Sequence, residues 1–316
     1  NRRILDHLMH DAFSGDDQTE PEADLILDPE PNPEYIQQTL APYGFQDIPA
    51  AFQNLVALSV ERIPFLSTRR CRHFLASIAP ALLQELGKTP DPDLALVSLC
   101  QVSDSLGGKG VLWELFSFNP PTLQLYVRLC ASSPYLSSIL TSNPGMVDEL
   151  MDSLVMNKLP NIETLRQSLR DRSRGAEELD PILHSFKNAH HLNAGVRDIL
   201  GKEDIRNTTA FLSDVAEVCL ELITEIQYQK LTRRYGHPWI ADQDRRCELV
   251  ILGMGKLGGR EPNYHSDLDV VFVYEREGST QPILSGRNST QTTSNQNFFS
   301  ELAQRIINQI NHIGPL

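Results

Sequence analysis

The chain has 316 residues, of which 41% are hydrophobic, so it can bury a large core and is expected to form two domains. Its formal net charge of −13 argues against a general nucleic-acid-binding protein, because affinity for the phosphate backbone depends on clusters of Lys and Arg. No apolar run approaches the ~18 residues of a membrane span, and no signal-peptide core is present, so we expect a cytoplasmic protein without a membrane partner. Because the sequence begins with Asn1 and not with Met, we expect it to be excised from a longer chain.

Residues 1–34 have an unusual composition. No Lys or Arg occurs between Arg3 and Arg62, whereas acidic residues and prolines accumulate from residue 14 to residue 34. Such a segment buries too little apolar surface to offset the entropy lost on ordering. We therefore predict a flexible acidic linker over residues 14–34, which can also dock a partner. A short helix containing Ile4, Leu5 and Leu8 is predicted before it.

Residues 35–240 are predicted to form a helical domain. Apolar residues recur at helical spacing in two sets, Phe74, Leu75, Ile78, Leu82 and Leu86, and Leu179, Ile182, Leu183 and Phe186. The clearest helix runs from Thr209 to Tyr235 and is followed by Gly236 and Pro238, which are stop signals. Asn-Pro steps at residues 119–120 and 143–144 separate helices, but two copies do not define a repeat, so the pattern favours a helical bundle.

Two other features suggest little chemistry. The five cysteines lack C-x-x-C spacing and are odd in number, which predicts reduced side chains rather than disulfides or a zinc site: Cys71, Cys100, Cys130, Cys219 and Cys247. His190 and His191 are neighbours on a predicted helix and point about 100° apart, so they do not form a metal-binding pair. We expect these histidines to be solvated or to cap a helix.

Residues 241–316 contain the most informative pattern of the chain. Two apolar runs, 249–252 and 270–274, frame a glycine-rich segment and an Asp-x-Asp pair. Asp267 and Asp269 lie two residues apart at the head of a strand, so both carboxylates can reach one metal cluster. Mg²⁺ is usually held by one or two carboxylates together with substrate phosphates. The pattern therefore predicts a metal-dependent nucleotidyl-transfer site.

Several residues beside this pair are candidates for contacting the nucleotide. The glycines of the turn let the backbone approach a phosphate without a Cβ clash: Gly253, Gly255, Gly258 and Gly259. Lys256 is the basic residue preferred for a phosphate contact, and the hydroxyl and backbone N–H of Ser266 are further candidates. Arg260 is expected to hold Glu261 or the loop.

Other interpretations of the same residues are weaker. Residues 253–258 read G-x-G-x-x-G, and Glu275 falls where the acid of a Rossmann site would be expected. A Rossmann unit needs a helix of several turns next, but residues 259–266 contain Pro262 and lack a helical apolar period. A P-loop is excluded because no Ser or Thr follows Lys256. A hairpin with two solvated aspartates is the remaining alternative, and the flanking strands argue against it.

The motif carries a family resemblance. Met254-Gly255-Lys256 followed by Asp267-Leu268-Asp269 resembles the nucleotidyltransferase superfamily of DNA polymerase β, although Lys256 stands where Gly or Ser is usual. The longer string of residues 249–274 resembles the signature of the glutamine synthetase adenylyltransferase family. Members of that family carry two nucleotidyltransferase units. Three upstream stretches resemble the lead-in to the C-terminal, adenylylating unit: residues 142–152, 186–201 and 211–236.

The resemblance implies a fold and a set of site residues. The implied fold is α+β, with a mostly helical bundle followed by the first part of a polymerase β-like mixed sheet in residues 241–316. Asp267 and Asp269 match the aspartates that bind two Mg²⁺ ions, Ser266 matches a phosphate-contacting serine, and residues 253–259 match the nucleotide-side loop. The family also uses a third carboxylate on a later strand. These 316 residues do not include it, so we expect them alone to have little or no transferase activity.

The implied activity is transfer of AMP from ATP to a tyrosine of glutamine synthetase, which regulates nitrogen assimilation. Two alternatives stay open at this point. The first is phosphorolytic removal of AMP from modified glutamine synthetase at the same metal cluster. The second is a non-catalytic helical module that docks glutamine synthetase or a nitrogen-signalling regulatory protein.

Overall fold

The computed structural model describes residues 20–63, 66–105, 107–146, 158–282 and 291–314. The chain divides into two compact units, Asn1–Leu154 and Val155–Leu316. The predicted domain boundary at residue 240 therefore does not match this division, because the helices between 162 and 235 pack with the strands that follow them. The helix predicted around Ile4 lies outside the described residues, as do residues 147–152 of the resemblance.

The described part of the first unit is helical. Its helices are α1 (Pro21–Leu27), α2 (Pro33–Leu40), α3 (Ile48–Leu58), α4 (Thr68–Gly87), α5 (Pro92–Ser105), α6 (Lys109–Phe118), α7 (Pro120–Ser132) and α8 (Pro134–Ser142). Several begin with Pro, which suits the first helical position because the N–H it lacks would have no intrahelical partner there. The predicted break at residues 119–120 is confirmed, since it separates α6 from α7. The predicted helix around Phe74 is also confirmed as part of α4.

Helix α1 corrects the prediction of a flexible linker over residues 14–34. It buries Leu25 and Ile26 and packs against α4. Glu22 and Asp24 lie in its first turn, where negative charge is favourable to the helix dipole. The acidic residues therefore favour the start of a helix. The apolar residues that follow them, Leu25 and Ile26, provide its buried contact with α4. Residues 14–19 lie outside the described residues.

The second unit combines helices with two small sheets. Its elements are α9 (Ile162–Ser173), α10 (Asp180–Ile199), α11 (Ile205–Tyr235), β1 (Trp239–Ile240), β2 (Arg245–Arg246), β3 (Leu249–Gly253), α12 (Gly255–Gly258), β4 (Val270–Tyr274) and α13 (Asn295–Ile313). The long helix predicted from Thr209 is confirmed but begins at Ile205, where Asp204 caps it by accepting the Arg206 N–H. Within the described residues, no helix is both long and apolar enough to cross a membrane.

The strands β3 and β4 form an antiparallel pair in which Leu249 faces Tyr274 and Gly253 faces Val270. The α+β class is therefore correct, but the described strands do not form the expected mixed sheet. Parallel pairing requires a crossover, and the chain between β3 and β4 contains only a single helical turn. One face of the pair packs on the core formed with α11 and α13, and the other face is exposed.

Candidate functional site

The glycine-rich turn lies directly against the second aspartate. Gly255 begins α12 with φ +48°, and a Cβ at this position would lie 2.5 Å from Asp269 Oδ2. A Cβ on Gly258 would lie 2.4 Å from the carbonyl oxygen of Gly253. Real Cβ atoms do not approach other atoms so closely. Gly258 therefore requires glycine because it meets backbone, whereas a side chain at Gly255 would displace the Asp269 carboxylate and would also resist the positive φ. The absence of side chains is therefore what allows the turn to reach the carboxylate.

Both aspartates are exposed in the segment that leads into β4. The Met254 N–H donates to the carbonyl oxygen of Asp269 over 2.8 Å, which extends the β3–β4 ladder and fixes the backbone of Asp269. Asp267 precedes it by two residues. The structure thus brings Asp269 together with the predicted glycine turn and leaves both carboxylates open to solvent.

Ser266 is 5% exposed and closes a local turn with Asn263. Its hydroxyl donates to Asn263 Oδ1 over 3.0 Å and accepts the Asn263 N–H over 2.8 Å. Its own N–H donates to the Asn263 carbonyl over 3.2 Å. Both donors predicted to contact phosphate are therefore engaged in this turn. Asn263 was not predicted, although Asn is a turn residue whose side chain bonds the backbone two residues on, as it does here with the His265 N–H.

The basic residues of the turn have different surroundings. Lys256 is exposed and forms no ion pair with the residues that the structure describes. The Arg260 guanidinium binds Asp214 of α11, whereas the sequence predicted that it holds Glu261 or the loop. Asp214 was not recognised from the sequence because it lies 46 positions away in the chain.

The Rossmann interpretation fails on the structure. The glycines themselves form the single helical turn α12, and the chain then runs as a loop to Asp269. Glu275 is held by the Arg245 guanidinium, which lowers the pKa of that carboxyl. No dinucleotide-type helix therefore follows the turn within residues 254–282.

Helix α10 lies against the loop that leads to Asp267. His191 is fully buried, and its ring centroid is 5.9 Å from that of Tyr264 in this loop. His190 packs between the rings of Phe186 and Phe211 at 4.3 and 6.0 Å. Burial lowers the pKa of His190 to about 4 and that of His191 to about 3, so both are neutral at pH 7. The prediction that these histidines are solvated or cap a helix was wrong, because both lie in the middle of α10, which is packed on several sides.

The described residues contain no group of three or more His, Cys, Asp or Glu side chains arranged to hold a metal by themselves. The exposed pair Asp267 and Asp269 nevertheless fits Mg²⁺, which takes one or two carboxylates from a protein and its remaining oxygens from phosphates and water. The donor set thus suits a metal that arrives with a phosphate substrate.

The described residues of this α+β chain set a glycine-rich turn against Asp269, with the exposed Asp267 two positions before it. The chain belongs to the glutamate-ammonia ligase adenylyltransferase family, whose sequence profile matches residues 123–314. The resemblance inferred from residues 249–274 is therefore confirmed.

Individual relatives agree with this assignment. The chain is 30% identical to the bifunctional glutamine synthetase adenylyltransferase/adenylyl-removing enzyme of Thioalkalivibrio sulfidiphilus over 87% of its length and 29% of the relative. It is 30% identical to the enzyme of the same name from Pseudomonas aeruginosa, over 87% of the chain and 28% of the relative. With the Pseudomonas putida enzyme the identity is 26%, over 97% and 32%. The chain therefore spans about a third of these relatives.

Proposed function

We propose that the protein catalyses Mg²⁺-dependent transfer of AMP from ATP to a tyrosine of glutamine synthetase and so regulates nitrogen assimilation. The observation that carries the proposal is the approach of the Gly255 backbone to the Asp269 carboxylate, beside the exposed Asp267. The relatives' name supports glutamine synthetase as the protein acted on. That name covers both attachment and removal of the adenylyl group.

Each site residue has a role in this proposal. Asp267 and Asp269 would hold two Mg²⁺ ions, which would supply charge neutralisation for the phosphates and a lower pKa for the attacking hydroxyl. The backbone of Gly253, Gly255, Gly258 and Gly259 leaves room for the phosphates. Lys256 supplies a positive charge to them. Ser266 exchanges its bond to Asn263 for a phosphate oxygen.

The nucleophile comes from the substrate. The tyrosine hydroxyl attacks the α-phosphorus of ATP, releases its proton to solvent and expels pyrophosphate, so no side chain of the enzyme needs to form a covalent bond. The site residues act by positioning the triphosphate and by stabilising the charge that develops on it.

The first test measures labelled AMP on purified glutamine synthetase after incubation with ATP–Mg²⁺ and the full-length natural protein. We expect label on tyrosine with the wild type, and at least a ~100-fold lower rate with Asp267→Asn or Asp269→Asn. The matched control is Asp242→Asn, because Asp242 is an exposed aspartate of the same unit that pairs with Arg276. It should transfer AMP at the wild-type rate.

Different outcomes separate the alternatives. Phosphate-dependent loss of AMP from pre-modified glutamine synthetase, without labelling, would assign the removal reaction instead. Neither reaction, combined with binding of glutamine synthetase, would favour the non-catalytic module. Unchanged labelling by both aspartate variants would show that the site is wrongly placed.

A further inference from the structure

Arg260 occupies an unusual position at the end of the glycine-rich turn. Its φ of +56° is in the left-handed region, which residues with a Cβ rarely adopt. Its N–H donates to the Leu257 carbonyl over 3.1 Å and so closes the turn. A glycine would fit this backbone better, so the side chain must supply something that offsets the unfavourable conformation.

The side chain reaches three acceptors on helix α11. One terminal nitrogen of the guanidinium lies 2.5 Å from Asp214 Oδ1 and 3.1 Å from the Ala210 carbonyl oxygen. The other terminal nitrogen is 3.9 Å from Glu217 Oε2. Asp214 is 19% exposed and Arg260 is 47% exposed, so water screens this ion pair mainly from the guanidinium side. Arg260 thereby ties the end of the turn to α11.

Helix α11 is itself held by a second set of ion pairs. Glu221 binds the Arg166 guanidinium of α9 through two hydrogen bonds of 2.7 and 2.9 Å. Glu225 Oε2 of α11 lies 3.5 Å from a guanidinium nitrogen of Arg170, which also belongs to α9. Because Glu217, Glu221 and Glu225 follow at helical spacing, they form one acidic stripe along α11. Helix α9 binds the part of this stripe nearer the C-terminus of α11, and Arg260 of the turn approaches the part nearer the N-terminus of α11.

The residue that forms this ion pair with Asp214, Arg260, lies in the chain between two parts of the proposed site. Upstream of Arg260 is the turn whose Gly255 faces Asp269, and downstream is the loop that leads through Ser266 to Asp267. Movement of residue 260 would therefore shift the turn and the first aspartate together. We propose that Arg260 is a positioning residue, whose ion pair with Asp214 holds the glycine-rich turn and Asp267 in place for ATP–Mg²⁺. This proposal rests on the proposed function.

Two substitutions test the ion pair from opposite sides. Arg260→Gly removes the guanidinium but suits the left-handed backbone, whereas Asp214→Ala keeps Arg260 and removes its partner. We expect each to raise the KM for ATP–Mg²⁺ about tenfold with less than about a threefold change in kcat. Because both break one interaction, the double variant should be no worse than either single variant. Asp242→Ala is the matched control, since it breaks the exposed 2.6 Å pair with Arg276, and its KM should not change.

A second readout does not depend on activity. Hydrogen exchange of the amides of residues 255–266, without nucleotide, should be faster in Arg260→Gly and Asp214→Ala than in the wild type or Asp242→Ala. Faster exchange with an unchanged KM would make Arg260 a purely structural residue and overturn the proposal, as would unchanged exchange in both variants. A wild-type protein that transfers no AMP would refute the proposed function itself, and the exchange data would still report whether the tie exists.

Discussion

At the scale of single residues, Gly255 is the glycine of the site that lies against a proposed metal ligand. Two effects oppose any side chain there, the left-handed backbone and the approach of Asp269 Oδ2 to within 2.5 Å of a built Cβ. The first affects stability, and the second affects the position of a carboxylate that we propose to hold metal. A suitable control separates these effects, because Gly201 has φ +64° and no atom within 4 Å of a Cβ.

We therefore predict different results for Gly255→Ala and Gly201→Ala. Each should lower the free energy of unfolding by about 1 kcal/mol, because alanine resists a positive φ. Gly255→Ala alone should reduce AMP transfer, by about 100-fold, because the methyl group displaces the Asp269 carboxylate. The checks are urea unfolding and the labelled-AMP rate. Equal activity of the two variants would show that the approach to Asp269 has no catalytic role.

The sequence predicts proximity well where two residues are close in the chain. The glycine turn does lie against Asp269, as the local spacing indicates, and the role of these residues in binding a nucleotide stays a prediction. The partner of Arg260 could not be recognised, because Asp214 is 46 positions away and one acid among many on a helix. Whether two such residues meet is decided by the packing of α11 against the loop, which local patterns do not encode.

At the scale of elements, α10 is distinctive because it buries polar residues on more than one face. Its buried polar side chains are Lys187, Asn188, His191, Asn193 and Arg197. Periodicity predicts a helix here but also predicts a solvent face. That face is covered by α11, α13 and the loop containing Tyr264, so the prediction for the histidines failed while the helix itself was confirmed. The linker prediction failed for a related reason. The average composition of residues 14–34 is acidic and does not reveal that Leu25 and Ile26 are buried.

The neutral histidines of α10 predict a pH dependence. In the unfolded chain each has a pKa of ~6.5, whereas burial lowers the pKa of His190 to about 4 and that of His191 to about 3. Below ~6.5 the unfolded state therefore binds more protons than the folded state. The free energy of unfolding of the second unit should have its full value above this pH. It should fall as the pH drops toward 4, by up to ~1.4 kcal/mol per pH unit for each histidine.

This prediction can be measured with the fluorescence of Trp239 in a Trp113→Phe background, which reports the second unit. Urea unfolding at pH 7, 6 and 5 should show a smaller loss of stability for His191→Gln than for the parent protein. His312→Gln is the control, because His312 is 72% exposed, and it should keep the parental slope. Identical slopes for all three proteins would mean that His191 does not titrate as its burial requires.

At the scale of the whole molecule, the described residues form two units that each bury their own cysteines. Cys71, Cys100 and Cys130 belong to the first unit, and Cys219 and Cys247 to the second. All five are free thiols, as the sequence predicted from their number and spacing. That all five are buried could not be predicted from the sequence, because burial depends on which helix faces meet in each core.

Burial protects these thiols and makes them reporters of unfolding. It raises the pKa of Cys71 to about 11 and that of Cys130 and Cys219 to about 12, so little reactive thiolate exists at pH 8. We predict that the native protein reacts with Ellman's reagent at least ~100-fold more slowly than the urea-unfolded protein. A reducing agent should leave the thermal midpoint unchanged, because no described cysteine forms a disulfide.

Mass spectrometry of partly labelled protein then assigns each reacting cysteine to its unit. Because a thiol in a closed core must wait for that core to open, rising urea should label the cysteines of one unit together. Labelling of Cys219 and Cys247 at a lower urea concentration than the other three would identify the unit with the aspartate pair as the less stable one. Rapid labelling of any one cysteine in the native protein, at the rate of a free thiol, would contradict its burial.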